Sequence, residues 1–290
     1  MAGRGDVGRV DVGRREVGGW RAAVARRPSR AAALVEFGAL ALWFGVFARL
    51  HAATGLDVAA ARAHALTLQS WERALHLDIE PAANRWLGAH PALIPPAVAC
   101  YRLYYVVLAG VLVWVFVRHA DDYPRVRRTL VAMTVLVLPV YWAVPMSPPR
   151  FALPGIVDII VEHDLLGAHA PGVVGQTAMP SMHMGYAAWC AYAVWTVLRP
   201  SHPRGALLPW AFPLAMLAVV LTTGSHYVLD VVGTAILFTA SLAAATGWGR
   251  LVERRRGGAA PSATGSTTGS STGSSTGSST GSGPLAELGP

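Results

Sequence analysis

The segment MPSMHMGYAAWCAYAVWTVLR, residues 179–199, carries two signals at once. Residues 180–199 have about the length that a helix needs to cross the hydrocarbon core of a membrane. An ionisable imidazole, that of His183, nevertheless stands at the start of this apolar run. Since a histidine at a membrane interface is often tolerated without any role, a functional interpretation of His183 requires partners elsewhere in the chain.

Further apolar runs of similar length predict a protein that crosses the membrane several times. The 290 residues are 53% hydrophobic and only 14% charged, whereas soluble domains are about 25% charged. No alternation typical of a β-barrel is visible. We therefore predict an all-α bundle of six transmembrane helices, with spans at residues 31–50, 95–117, 128–147, 180–199, 206–223 and 225–248.

The two ends of the chain differ in composition from this membrane domain, which we place at residues 31–250. Residues 1–30 are rich in Arg and Gly and predict a disordered basic tail. Residues 251–290 repeat a Ser/Thr/Gly unit that cannot bury enough apolar surface to offset the entropy of ordering, so a disordered tail is expected there too.

Residues 55–94, between the first two spans, favour helix and are amphipathic. Trp71 and Trp86 stand where interfacial anchors would, so this segment reads as an interfacial helix pair. A plain extramembrane helical hairpin fits the pattern equally well, and both interpretations stay open.

The arginines indicate the orientation. The net charge of +8 arises without any lysine, and the arginines cluster at the ends of apolar runs rather than forming a nucleic-acid footprint. With six spans, the four arginine-rich segments all fall on one side of the membrane. The positive-inside rule then predicts a multi-pass protein of the cell membrane with both termini in the cytoplasm.

This topology gives His183 its partners. Span six begins with His226 and Asp230, the loop before span four contains Arg150, and Arg102 lies in the outer third of span two. All five residues are thus predicted at the extracytoplasmic face, although they come from separate parts of the sequence.

The spacing of His226 and Asp230 is typical of an oriented imidazole. Residues four apart lie on one face of a helix, so the carboxylate can accept the Nδ1 proton and leave Nε2 free to attack an electrophile. An aspartate in an apolar span costs several kcal/mol unless it is paired. The alternative is that the pair only joins two helices.

An arginine on the same side suits phosphoryl chemistry. A guanidinium group matches phosphate oxygens with two parallel hydrogen bonds and keeps its charge. Arg150 is the better candidate because Pro148 and Pro149 stiffen its approach, and Arg102 is a second one. A purely interfacial arginine that binds lipid headgroups is the competing interpretation for Arg150.

Together these motifs resemble a known family. PSMH resembles the second signature of the type 2 phosphatidic acid phosphatases, and HYVLD resembles the end of their third. The combination PPR, MPSMHMG and GSHYVLDVVGT is most similar to the branch related to the aureobasidin-sensitive inositolphosphotransferase, the fungal inositol phosphorylceramide synthase. The resemblance covers roughly residues 65–245 and includes the plan of six spans.

The resemblance implies a role for each matching residue. His226 would attack phosphorus to form a phosphohistidine, Asp230 would orient it, and His183 would serve as acid and then as base. Backbone donors around Ser181 and Gly224 would help to hold the phosphate.

Two departures argue against classical phosphatidate specificity. The phosphatase branch has a lysine in its first signature and an arginine six residues before its second histidine, whereas this chain has no lysine and has Val220 there.

We therefore expect a membrane phosphatase or phosphotransferase that acts on a phosphorylated lipid at the extracytoplasmic face, with no cofactor and no metal. One alternative is a metal-dependent hydrolase that uses His183, His226 and Asp230 as ligands. Another is a transporter or scaffold without enzymatic activity.

Overall fold

The computed structural model describes residues 29–163 and 176–258, which fold into helices. Within these residues no strand forms, and a single isolated bridge joins Met146 to Thr177. The predicted disordered tails fall almost entirely outside the described residues. The helices are α1 (Arg30–Ala52), α2 (Val58–Ala74), α3 (Glu80–Gly88), α4 (Ile94–Arg118), α5 (Tyr123–Ala143), α6 (Pro149–Ala152), α7 (Ile159–Glu162), α8 (Met182–Leu198), α9 (Ala211–Thr222) and α10 (Val228–Gly258).

Five helical stretches in the described part of the chain are long and apolar enough to cross a membrane. They comprise α1, α4, α5, α9 with the 3-10 turn that precedes it, and α10. The prediction of an all-helical membrane protein is therefore confirmed. The remaining predicted span corresponds to α8, whose 17 residues give a rise of about 25 Å.

The boundaries of two predicted spans are wrong by several residues. The helix predicted at 128–147 runs from Tyr123 to Ala143, because Pro124 starts the helix within the basic segment and the chain turns before Pro145. The helix predicted at 225–248 begins at Val228 and extends to Gly258. The described residues up to Leu251 form one compact unit, and Val252 to Gly258 belong to a second.

Helix α8 lies at the centre of the core. Its buried residues point to every side of the helix, which is typical of a helix surrounded by protein. It packs against α4, α5 and α9. Trp189 is fully buried at its middle and donates a hydrogen bond from Nε1 to the carbonyl oxygen of Val126 on α5 (3.0 Å).

Helix α1 lies at the periphery and buries only Leu40 and Phe47. An ion pair from Arg127 on α5 to Glu36 (2.6 Å) ties it to the bundle. Trp43 adds a hydrogen bond from Nε1 to Thr134 Oγ1 on α5 (3.0 Å). Polar contacts therefore contribute much of the attachment of this helix.

The segment at 55–94 folds into the two consecutive helices α2 and α3, which are called the α2–α3 hairpin below. Its buried face is polar, since Gln69, Glu72, Glu80 and Asn84 are all 2% exposed or less. Helix α3 packs on α9, and α2 packs on α6. Neither interpretation of the sequence anticipated this buried polar face. Its two glutamates contact the start of α10.

Replacing Trp189 tests the assignment of α8 as the central helix. We expect Trp189→Ala to destabilise the protein by about 3–5 kcal/mol, because it leaves a cavity in the core. Trp142→Ala on α5 is the matched control, since that side chain is 79% exposed. Thermal unfolding in detergent would compare the two variants, and equal melting temperatures would contradict a central position for α8.

Candidate active site

His226 and Asp230 form a hydrogen-bonded pair where α10 begins. The imidazole Nδ1 lies 3.2 Å from Asp230 Oδ2 and 2.9 Å from the carbonyl oxygen of Ala178. Both neighbours accept hydrogen bonds only, so Nδ1 carries the proton and donates to them. Nε2 therefore presents its lone pair, as the i, i+4 spacing predicted.

His183 meets that lone pair directly. Its Nδ1 lies 3.4 Å from His226 Nε2, so the proton between the two rings resides on His183. The ring of His183 stacks on Tyr101, with centroids 4.2 Å apart, and meets the edge of Tyr104 at 4.8 Å. The two histidines are thus adjacent although 43 residues separate them.

The surroundings keep His226 neutral. Burial lowers the pKa of its imidazole below the ordinary value, and the positive charge of Arg150 lowers it further. At neutral pH the ring is therefore unprotonated at Nε2. That is the form in which a histidine acts as a nucleophile.

Arg150 lies on α6, and its side chain lines the same cavity as the two histidines. Its guanidinium donates from an Nη atom to Ser225 Oγ, and its Nε lies 3.4 Å from Asp158 Oδ2. Ser225 Oγ lies 2.9 Å from Thr223 Oγ1, which donates to the carbonyl oxygen of Val219. This chain of polar groups holds the guanidinium in one position, and Asp158 is its charge partner among residues 29–163 and 176–258.

Gly224 shapes the turn that carries Ser225 and His226. Its φ of +64° lies in the left-handed region, and the amides of Gly224 and Ser225 bond back to Leu221 and Val220 of α9. This pattern is a Schellman motif, which ends α9. The carbonyl oxygen of Gly224 also accepts the backbone N–H of Arg150 at 2.9 Å, so the turn joins the arginine to the histidine.

A cavity of about 210 Å³ brings these groups together. His183, His226, Arg150 and Ser225 line it. Most of its other lining residues are aromatic, namely Phe47, Tyr101, Tyr104, Tyr105, Tyr141 and Tyr186. The cavity thus combines one guanidinium, three imidazoles (those of His183, His226 and His51) and an aromatic enclosure.

Three of the four predicted phosphate-binding residues do not line this cavity. Ser181 is fully buried and caps α8, where its Oγ accepts the N–H of Met184 at 3.3 Å. Arg102 lies on α4 and donates to the carbonyl oxygen of Ile160 at 3.4 Å. Gly224 acts through the backbone turn rather than through contact with the cavity.

Several residues at the site carried no signal in the sequence. His51, at the end of α1, lines the cavity with its Nε2 3.0 Å from Thr177 Oγ1. Asp158 and the tyrosines likewise lack a motif. Their positions depend on packing between helices. In the sequence His51 is one of several histidines near span ends that have no paired spacing, and only the predicted topology puts it on the same side of the membrane as His183.

The described residues show no arrangement suited to a metal ion. Across residues 29–163 and 176–258, no group of three or more His, Cys, Asp or Glu side chains is placed to bind one. His226 uses its Nδ1 proton to bond Asp230, which leaves that nitrogen unable to coordinate.

Substituting Gly224 tests the importance of the turn. A Cβ at this position would lie 2.5 Å from Ile156 Cγ2, and the left-handed backbone alone costs about 1–2 kcal/mol for a residue with a side chain. We expect Gly224→Ala to lower the melting temperature and the activity together. Gly110→Ala is the control, because a Cβ there meets nothing within 4 Å. An unchanged Gly224→Ala variant would contradict the role of the turn.

Comparison with known proteins agrees with this geometry. No curated protein and no solved structure matches the chain. The profile of the PAP2 superfamily, a phosphatase family, matches residues 66–244, which include α3 to α9 and the two histidines. The matched residues make up more than half of the chain. The chain therefore belongs to the PAP2 superfamily and has a phosphatase-type function in a membrane.

Proposed function

We propose that the protein is an integral membrane lipid phosphatase or phosphotransferase that works through a phosphohistidine at His226. One observation carries the proposal: Nδ1 of His226 donates to Asp230 and Ala178, so its Nε2 lone pair faces the cavity beside His183 and Arg150. An oriented neutral imidazole next to a fixed guanidinium is what phosphoryl transfer requires.

The first step forms the covalent intermediate. Arg150 and the hydroxyl of Ser225 bind the phosphate oxygens and stabilise the charge of the transition state. Nε2 of His226 attacks phosphorus as the bond from phosphorus to the leaving oxygen breaks. His183, doubly protonated beside the bound phosphate dianion, donates its Nδ1 proton to that oxygen and becomes neutral, and Asp230 stabilises the positive ring of His226.

The second step releases the phosphoryl group. His183, now unprotonated at Nδ1, accepts a proton from water or from an alcohol. The resulting oxygen nucleophile attacks phosphorus, and the bond between phosphorus and nitrogen breaks. A phosphoryl group bound between the two histidines replaces their mutual hydrogen bond in both steps.

An inositol-type or other alcohol is the proposed acceptor when the donor is phosphatidate, and with phosphatidylinositol as the donor the acceptor is another alcohol. The support for an inositol-type acceptor is the similarity of PPR, MPSMHMG and GSHYVLDVVGT to the inositolphosphotransferase branch. The aromatic walls of the cavity are compatible with this acceptor, because a ring of CH groups packs well on tyrosine faces.

The proposed membrane arrangement has six spans, with α8 as the fourth. The 17 residues of α8 lie at the short end of the lengths that cross a bilayer. Arginines before α1, between α4 and α5, after α8 and at the end of α10 then share one side. The positive-inside rule supports cytoplasmic termini in the cell membrane and an extracytoplasmic site.

An apolar groove supports a lipid as the substrate. The groove has a volume of about 460 Å³ and runs between α1 and α4, where Leu40, Phe44, Leu108 and Leu112 line it. It shares four lining residues with the catalytic cavity, and these are Phe47, His51, Tyr105 and Tyr186. A hydrocarbon chain in this groove would place its phosphorylated end in the cavity, so we propose the groove as the binding site of the lipid chain.

Substitutions of the histidines test the mechanism. We expect His226→Ala to abolish turnover and His183→Ala to lower it about 10²–10⁴-fold, the usual contribution of acid–base catalysis. Asp230→Asn should cause a smaller loss, since it weakens the orientation of the ring. The measurement is phosphate release from radiolabelled phosphatidate and transfer from phosphatidylinositol by purified protein.

An activated substrate separates the two histidines. With p-nitrophenyl phosphate, whose leaving group needs no proton, His183→Ala should still release about one p-nitrophenolate per enzyme and accumulate an acid-labile phosphoenzyme. His226→Ala should show neither. Full activity of His226→Ala would overturn the proposal.

Filling the groove tests the site of the lipid chain. We expect Ala48→Phe on α1 to raise the KM for a long-chain substrate and to leave the KM for a short soluble phosphate ester unchanged. Ala235→Phe is the matched control, because Ala235 is also exposed and lines an apolar groove of 410 Å³ that shares no residue with the catalytic cavity. Equal effects of the two variants would contradict this site.

A further inference from the structure

Two buried glutamates of the α2–α3 hairpin meet the start of α10. Glu72 and Glu80 both have a fractional exposure of zero. Glu72 Oε1 accepts the backbone N–H of Leu229 at 2.8 Å, and Glu80 Oε1 accepts that of Val228 at 2.9 Å. The hairpin thus caps a helix that lies about 150 residues further along the chain.

These contacts complete the first turn of α10. Asp230 Oδ2 accepts the N–H of Tyr227 at 2.9 Å, so three carboxylates satisfy three successive amides that have no partner within the helix. The positive end of the helix dipole favours carboxylates at this place. His226 immediately precedes this turn and Asp230 belongs to it, so the two glutamates fix the backbone that carries the pair.

Three carboxylates so close together cannot all be ionised without strong repulsion. The titratable groups that face Glu72 and Glu80 are each other, Asp230 and the phenol of Tyr227. The second oxygen, Oε2, of each glutamate is also buried and has no hydrogen-bond donor among the described residues. The side chains of Glu72 and Glu80 lie within hydrogen-bonding reach of each other, so a proton on one carboxyl group supplies that donor to the other.

Burial, which disfavours the charged form, raises the pKa of Glu72 to about 8, and it raises the pKa of Glu80 as well. Repulsion from Asp230 acts in the same direction for both groups. The pair therefore holds a proton at neutral pH, where an ordinary glutamate has none.

We propose that Glu72 and Glu80 share one proton and act as a pair of positioning residues that hold His226 and Asp230 in their reactive geometry. Loss of this proton at alkaline pH makes the two side chains repel each other and Asp230. The repulsion weakens their hydrogen bonds to the backbone of the first turn of α10. The effect on turnover rests on the proposed function, whereas the sharing of the proton does not.

Glutamine variants test the shared proton. In Glu72→Gln the amide oxygen still accepts the N–H of Leu229, and the amide nitrogen replaces the shared O–H as a donor that does not titrate. We expect wild-type kcat to fall as pH rises through about 8 and Glu72→Gln to keep its kcat up to pH 9.5, with KM unchanged. Glu80→Gln should behave in the same way. Glu72→Ala should lose about 10²-fold in kcat at every pH, because the capping contact itself is gone.

Stability supplies a readout that does not depend on activity. A carboxyl group whose pKa is raised in the folded state retains a proton that the unfolded chain loses near pH 4.5. Stability therefore falls as pH rises from about 4.5 to about 8 and is then constant. We expect the melting temperature of the wild type to fall by several °C more than that of Glu72→Gln over this range. Glu162→Gln, an exposed position on α7, should follow the wild type.

The outcomes separate this inference from the proposed function. If the wild type transfers no phosphoryl group, the proposed function fails, and the melting curves still decide whether the proton is shared. If Glu72→Gln and Glu80→Gln match the wild type in both pH profiles, the inference is overturned even when the enzyme is active. Because Gln preserves volume and both hydrogen bonds, misfolding of the Ala variant does not affect this test.

Discussion

The hydrogen bonds at the first turn of α10 are the constraint on which the site depends. Helix N-termini leave amides without partners, and here three carboxylates from α2, α3 and α10 itself satisfy them. One of the three, Asp230, bonds the amide of Tyr227 and the imidazole of His226 with the same oxygen. Helix capping and imidazole orientation are therefore one interaction, and neither can change without the other.

This dependence extends to the arginine through the turn at Gly224. Five residues separate the end of α9 from the start of α10, and the left-handed glycine lets the chain reverse between them. Arg150 bonds the carbonyl oxygen of that glycine through its backbone and Ser225 through its side chain. Asn84 on α3 closes the arrangement, since it donates to the carbonyl oxygens of Val157 and Thr222. The hairpin, the turn and the arginine are thus held as a single polar unit at one end of an apolar bundle.

The sequence predicted those features that local pattern determines. Hydropathy located the long helices, because a membrane helix must satisfy its own backbone and be apolar throughout. The spacing of His226 and Asp230 predicted their contact, since i, i+4 geometry does not require knowledge of the fold. Helix ends were less accurate, as at Tyr123, where the helix begins inside a basic segment that reads as a loop.

The features that the sequence did not predict depend on contacts over long separations. Glu72 and Glu80 stand on short amphipathic helices, where carboxylates usually face water, and only tertiary packing buries them. The tyrosines of the cavity belong to the apolar helices α4, α5 and α8, in which no local pattern distinguishes a lining residue from a core residue. Ser181 illustrates the converse, because its place in a signature suggested a backbone donor to phosphate, whereas its N–H bonds Thr234 Oγ1 and its hydroxyl caps α8.

The peripheral position of α1 has a consequence for divergence within such proteins. This helix forms one wall of the apolar groove, yet it buries only Leu40 and Phe47, and polar contacts with α5 add to its attachment. Its exposed groove-facing side chains, such as Ala41 and Ala48, can therefore be exchanged at little cost to the core around Trp189. The helices that carry the histidines tolerate no such exchange, so the length and shape of the bound chain can evolve independently of the chemistry.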